Sequence, residues 1–394
     1  MSDWTRRSVL GYGVSLSAGI RLSGDTPILR QVDTGSNSVA LYGGDRLNSG
    51  RYQADPITQP AGIEWEYEAS ESVNSVPAIV DDRIFVGTDD HELHVINAQT
   101  GEGEVAYESG LEADESHLSA VPAVLDGTVY ITFSSNAGNP VKPESEVVAL
   151  DSNTFAVQWR FEPENTIYAS VVPTESTVYV GADSEIYALE ATSGRTRWST
   201  DTGEKGSLPN VVPAITENAI IAPTVERAAS ISRVSRESGE VDWDFGAGSS
   251  IKSSPAVDSG TVYFGSFDES LYALDLQSGI KEWEFQAGDF VTGHPSVADG
   301  TVYVWTRGNT LYAVDSNSGE EQWSYEFSKR DTAWVTGKPA IVDGVVYVGS
   351  WDRTIAALSA DSGDELWTLE LGGNIRAGVV PVGDRLYVPC HNGI

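Results

Sequence analysis

Along most of the chain, apolar and polar residues alternate in short runs broken by Asp, Gly and Ser. "SSPAVDSGTVYFGS" (253–266) shows the unit: a proline-led apolar stretch, a turn, and a Val/Tyr-rich run in which every second residue is apolar. A period of two puts successive side chains on opposite faces of a pleated strand. "LYALDLQSGIKEW" (271–283) continues it with a third run, a Ser-Gly reversal and a tryptophan-bearing run, "IKEWEF" (280–285). Glycine tolerates positive φ where the chain reverses between the third and fourth strands. Each unit therefore reads as four short antiparallel strands.

The unit repeats. "GHPSVADGTVYVWT" (293–306) and "GKPAIVDGVVYVGS" (337–350) repeat its first half. "LYAVDSNSGEEQW" (311–323), "IYALEATSGRTRW" (186–198) and "IAALSADSGDELW" (355–367) repeat its second. Tryptophans at Trp65, Trp159, Trp198, Trp243, Trp283, Trp323 and Trp367, with Tyr107 standing in once, recur at intervals of 39 to 52 residues. That spacing matches a four-stranded propeller blade. Each indole offers a broad apolar face to cover the neighbouring blade, and a sheet that cannot bury both faces alone stays marginal until a ring closes.

Eight proline-led blocks, at Pro77, Pro122, Pro173, Pro213, Pro255, Pro295, Pro339 and Pro381, are offset from eight fourth strands. The expectation is an all-β, eight-bladed β-propeller of four-stranded antiparallel blades, closed by pairing N- and C-terminal strands. "IEWEYE" (63–68) would complete the last blade and hide two sheet edges. One strand is missing there, and "SVALY" (38–42) is the candidate to fill it. Residues 36–394 are read as this single propeller.

The chain has 394 residues and a formal charge of −34, with 58 Asp+Glu against 24 Lys+Arg. That field repels nucleic acid and anionic membrane surfaces. A carboxylate-rich, lysine-poor surface suits high salt and points to a halophilic archaeal source. Cys390 is the single cysteine, so no internal disulfide forms. No run of eighteen apolar residues provides a membrane-crossing helix. Residues 1–35 are read as an export signal and tail, because Arg6-Arg7 followed by Val9-Leu10 resembles a twin-arginine signal. The other reading is two surface arginines before a short strand or helix. Export would place a monomeric protein outside the cell or on its surface.

The pattern at Ala273, Asp275, Ser278, Gly279 and Trp283, repeated over Ala313–Trp323 and, with Glu190 for the aspartate, over Ala188–Trp198, resembles the repeat of quinoprotein-type propellers. That family includes pyrroloquinoline quinone (PQQ) dehydrogenases and non-enzymatic members such as the BamB-like scaffold of outer-membrane protein assembly. "LYGGDRLNSGRY" (41–52) resembles an opening segment of secreted members. The dehydrogenases are longer and stack adjacent cysteines on the quinone; this chain has Cys390 alone. The resemblance therefore implies a binding or scaffold protein with no catalytic residue and no obligatory cofactor. A PQQ-binding oxidoreductase is the alternative.

The five residues before each aligned proline, expected to line the central channel, contain no Asp or Glu but do contain Lys252, Lys338, Arg376, His117 and His294. With Tyr168, Phe290 and Trp334 nearby, they would suit a small anionic, planar ligand at the channel mouth, where a positive interior focuses anions. The competing reading is that buried strands exclude carboxylates and basic ends reach water at the rim. A protein partner, held by loops or strand edges, is the other class of ligand expected. "TDDHELH" (88–94), with Asp89, Asp90, His91 and His94, has ligand types suited to a metal, but turns of this kind are polar anyway, and no metal site is assigned. No G-x-S-x-G nucleophile elbow occurs. The insertion 134–145 lengthens the second blade.

Overall fold

The computed structural model describes residues 9–15 and 41–390, apart from residues 61, 74, 112–121, 136–143, 168–169, 183–184, 202–210, 224–228, 328–336 and 376. It is an all-β propeller of four-stranded antiparallel sheets. Seven blades are single stretches of chain, each using four successive strands from inside to outside: 78–108, 123–161, 172–201, 214–246, 256–286, 296–326 and 340–370. Blade five shows why these residues form these strands. Val262, Phe264, Leu271, Ala273 and Leu274 are buried on its two faces, while Glu282, Glu284 and Gln286 of its outer strand point to water. The inner three strands are covered on both faces by neighbouring blades and are apolar throughout. The outermost strand is covered on one face only and alternates.

The expectation of an eight-bladed propeller is corrected: seven blades are built from single stretches of chain. The remaining sheet is composite. Its order is Trp65–Ala69, Val9–Ser15, Arg385–Pro389, Val380–Val382. The chain carries seven complete copies of the repeat, and its last proline-led block has only two strands of its own. The missing third strand is not 38–42, since residues 41 and 42 lie in a turn and 38–40 lie outside the described residues. Val9–Ser15 takes the position, pairing Gly13 with Trp65 on one side and with Tyr387 on the other. These residues fall within the stretch read as an export signal; the rest of that signal, Arg6-Arg7 included, lies outside the described residues.

The joints between sheets repeat one device. Each indole lies over the third-to-fourth-strand turn of the next sheet and donates to a carbonyl there: Trp65 to Ala98 (3.2 Å), Trp159 to Ala191 (2.8 Å), Trp198 to Arg236 (3.2 Å), Trp243 to Leu276 (3.0 Å), Trp283 to Ser316 (2.9 Å) and Trp323 to Ala360 (2.8 Å). The glycine of that turn is a steric requirement. Gly319 has φ +74°, and a Cβ there would sit 2.8 Å from the Trp283 ring. Trp367, at the closing joint, donates to Ile57 (2.8 Å), whose carbonyl also accepts from the Tyr347 hydroxyl. Residues 54–58 thus stand where the turn of a further repeat would be.

Candidate functional site

The channel side of the inner strands is occupied by the chain itself. Residues 45–55 run as a strap past five successive inner strands. The amides of Ile215, Val257, Val297 and Ile341, each two residues after its blade's proline, donate to the carbonyls of Arg46, Leu47, Ser49 and Gly50 at 2.6–2.9 Å. Tyr52 and Asp55 then donate to Ile341 and Gly383. The inner edge of a blade is a sheet edge, so its free N–H groups need partners. The strap supplies them from blade four through to the closing sheet.

Local chemistry explains how an irregular segment lies so close. The Asp45 carboxylate accepts from the amides of Leu47 and Ser49 and from the Ser49 hydroxyl, which folds the strap at its start. Buried Asn48 adopts φ +54° and sends its amide nitrogen to the carbonyls of Val212 (2.9 Å) and Pro255 (3.2 Å). At Gly50, φ +76°, a Cβ would fall 2.2 Å from the Ser296 hydroxyl and 3.0 Å from the Pro339 carbonyl, so only glycine passes. Arg51 donates to Val297 (3.0 Å) and pairs with Asp258 (3.4 Å).

The sequence-derived site residues divide here. Lys338 is buried, and its ammonium donates to the carbonyls of Asn48 and Pro295, the second at 2.7 Å. Burial lowers its pKa to about 7, with the Asp45 charge opposing the shift. His294 accepts from the Ser254 amide at Nδ1 (2.7 Å) and meets the edge of Tyr42 at 5.8 Å between ring centroids. Its pKa is depressed to about 3, first by desolvation and then by Lys338. Burial raises the phenols of Tyr42 and Tyr52 above their usual range. Lys338 thus fastens the strap through the Asn48 carbonyl, and His294, close enough to feel the Lys338 charge, is held by Ser254 and Tyr42 beside it.

Lys252 stands apart. It is exposed, with its ammonium 5.1 Å from the centroid of the Phe267 ring. Phe267 stacks on Phe290 at 5.1 Å with the rings parallel to within 2°, and the Arg307 guanidinium lies 5.9 Å from the Phe290 ring centroid. His117, Tyr168, Trp334 and Arg376 lie outside the described residues. Among the two histidines of "TDDHELH", His91 meets the Ser134 carbonyl at 2.9 Å, whereas His94 lies between the Tyr67 hydroxyl (2.8 Å) and the Glu92 carboxylate (2.9 Å). Among the described residues no three His, Cys, Asp or Glu side chains gather as a metal site. Cys390 is buried, which pushes its thiol pKa up.

Sequence reasoning singled out Lys338 and His294, which the structure places beside the strap, but it missed the strap itself. The available signal was "GGDRLNSGRY" (43–52), in which Gly50 and Asn48 mark left-handed or closely packed backbone outside any repeat.

Comparison with known proteins follows this geometry. The family described as outer membrane protein assembly factor BamB matches residues 31–145, 108–243, 143–289 and 268–394. The serine/threonine-protein kinase AfsK of Streptomyces griseus is 29% identical over 246 residues, covering 54% of this chain and 30% of the kinase. The chain thus spans less than a third of that relative's length. Among solved structures, BamB from Moraxella catarrhalis aligns with TM-score 0.63 and 16% identity, over 80% of this chain and 96% of that one. Quinohemoprotein alcohol dehydrogenase from Comamonas testosteroni aligns with TM-score 0.72 and 15% identity, over 91% and 77%. A europium-containing methanol dehydrogenase reaches TM-score 0.71 at 11% identity, over 92% and 91%. At these identities the likeness to solved structures is one of fold. Among the described residues no helix is long and apolar enough to cross a membrane.

Proposed function

The chain belongs to the family described as outer membrane protein assembly factor BamB, and from that premise we propose that it is an exported, non-enzymatic scaffold that holds a protein partner. One observation carries this reading. The cation best placed to hold an anionic cofactor in the channel, Lys338, spends two of its three N–H donors on the carbonyls of Asn48 and Pro295, and the strap lies along the inner strands from blade four to the closing sheet, where a small ligand would enter. Lys338, one of the residues that would read as a ligand site, serves instead to fasten the chain to itself.

The quinoprotein dehydrogenases that share the fold supply the competing reading. PQQ carries several carboxylates and needs unengaged donors and an open planar slot. Lys338 turns two of its three N–H groups to main-chain carbonyls, and His294 spends Nδ1 on the Ser254 amide, so quinone carboxylates would compete with those contacts. The separating experiment is a titration of the purified chain with PQQ and calcium, followed by visible absorbance and by reduction of an artificial electron-accepting dye in the presence of alcohols or aldose sugars. The scaffold reading expects no saturable absorbance change and no dye reduction above buffer. Stoichiometric quinone uptake with dye reduction would replace it with the oxidoreductase.

A further inference from the structure

The closing sheet differs from the seven blades in one respect that bears on partner binding. Its third strand, Val9–Ser15, comes from a distant part of the chain and is held by two ladders. Residues 9–13 pair with Ala69–Trp65, and residues 11–15 pair with Pro389–Arg385. Between Ser15 and Leu41, where the described chain resumes ahead of the strap, lie the 25 residues 16–40, so the strand is a tethered insert in a slot between two preformed edges. The flanking strands are anchored without it. Trp65 docks on Gly101 and Ala98 of blade one, and Arg385 donates to Ala98 and pairs with Glu64 at 2.9 Å.

We infer that this slot, between Trp65–Ala69 and Arg385–Pro389, is the partner-binding site of the scaffold, filled in cis by Val9–Ser15 and in trans by an extended segment of a partner protein once that strand is removed. The inference rests on the scaffold reading and on the export reading of residues 1–35. The stretch that resembles a twin-arginine signal contains the strand that closes the sheet, so signal removal and slot opening are one event. An opened slot exposes two unpaired strand edges facing each other. That is the strongest template for strand addition that a sheet offers, because the incoming main chain is paired on both sides.

The chemistry of the partner follows from the slot's walls. Glu66 and Glu68, both exposed, stand opposite the fourth and second positions of the five-residue ladder, now held by Tyr12 and Leu10. Basic residues facing them gain cross-strand attraction, and acidic residues are repelled. The partner segment is therefore extended, at least five residues long, free of proline in its centre and basic on the face toward Glu66 and Glu68.

The test uses the full chain and a fluorescein-labelled synthetic peptide of residues 5–17. Tyr12→Pro blocks main-chain pairing of the resident strand and opens the slot without cleavage. A second preparation carries a protease site within residues 16–40, cut after folding. Fluorescence anisotropy should show no saturable uptake by the unmodified chain and saturable uptake by both opened forms. A second labelled peptide with Leu10→Lys and Tyr12→Lys should bind the opened chain more tightly than the first, and Glu66→Lys with Glu68→Lys should weaken its uptake on the order of tenfold. Absence of uptake by both opened forms, with their circular dichroism native, overturns the inference, as does equal uptake by opened and unmodified chains. The two readings fail separately: missing uptake removes the slot and leaves the scaffold standing, whereas PQQ-dependent dye reduction removes the scaffold whatever the peptide does.

Discussion

At the joint between blades five and six, Trp283 lies over the turn that contains Gly319, and its indole N–H reaches the Ser316 carbonyl. At the joint between blades one and two, Tyr107 takes the tryptophan's place, and the turn it faces has Phe155 at φ +56° where the other blades have glycine. Tyr107 packs at 5.9 Å on Phe133, and its hydroxyl accepts from Arg160 (2.7 Å), which also lies 3.4 Å from Glu146. The pair of changes is concerted. An indole needs bare backbone beneath it, and the smaller phenol leaves room for a side chain that fills the gap. Six of the eight joints use one steric solution, the closing joint at Trp367 uses residues 54–58 in place of the turn, and the Tyr107 joint uses a compensated substitute. Residue identity at a joint is thus set by its opposite number rather than by its own blade.

The largest effect should come from removing an indole. Trp283→Ala leaves a void between two blades and is expected to cost about 3–5 kcal/mol, read as a fall in the urea midpoint. Tyr107→Ala should cost less, because Phe133 and Phe155 collapse into part of the space. Gly319→Ala should follow at about 2–4 kcal/mol, combining left-handed strain with overpacking against the indole. The transplant Tyr107→Trp with Phe155→Gly sharpens the comparison further. Each single change should destabilise, and the double variant should recover about 1–3 kcal/mol of coupling in a double-mutant cycle. Purely additive single effects would show that the two positions are independent.

The smallest effect expected is the acid limb of stability at His294. Its folded pKa lies near 3, well below the ordinary imidazole value. As pH falls from about 6.5 toward 3 the unfolded chain takes up this proton first, so stability is lost across that window and is fully present above it. Protonation also removes the Nδ1 lone pair that accepts from Ser254. Because the ring is partly accessible, solvent screening keeps the contribution small. Comparing urea midpoints of the wild type and His294→Gln at pH 4 and pH 7 should show a shallower loss in the variant.

These contrasts mark how much was readable in advance. The blades and their joints were legible because their determinants are local and periodic: alternation, a Ser-Gly turn and a tryptophan at fixed spacing. Tyr107 was legible as a replacement, but its partner Phe155 was not, since the pairing crosses between blades. The closing sheet was half legible. Trp65–Ala69 could be placed because it carries the tryptophan signature, whereas "VLGYGVS" (9–15), with two glycines and an export-like context, has nothing to mark it as a third strand. The strap escaped for a different reason. Its contacts are main chain to main chain, and hydrogen bonds of that kind leave almost no trace in side-chain identity. For the same reason Lys338 and His294 were recognised as channel residues while their partners, two carbonyls and an amide, were not.

The central claim is that Lys338 fastens the strap to the inner strands. Amide hydrogen exchange at Ile215, Val257, Val297 and Ile341 tests it most directly, comparing the wild type with Lys338→Met at pH 7. The account predicts exchange in the wild type as slow as in the middle strands of the blades, and exchange at least tenfold faster at Val297 and Ile341 in the variant. Fast exchange at all four amides in the wild-type chain would contradict it.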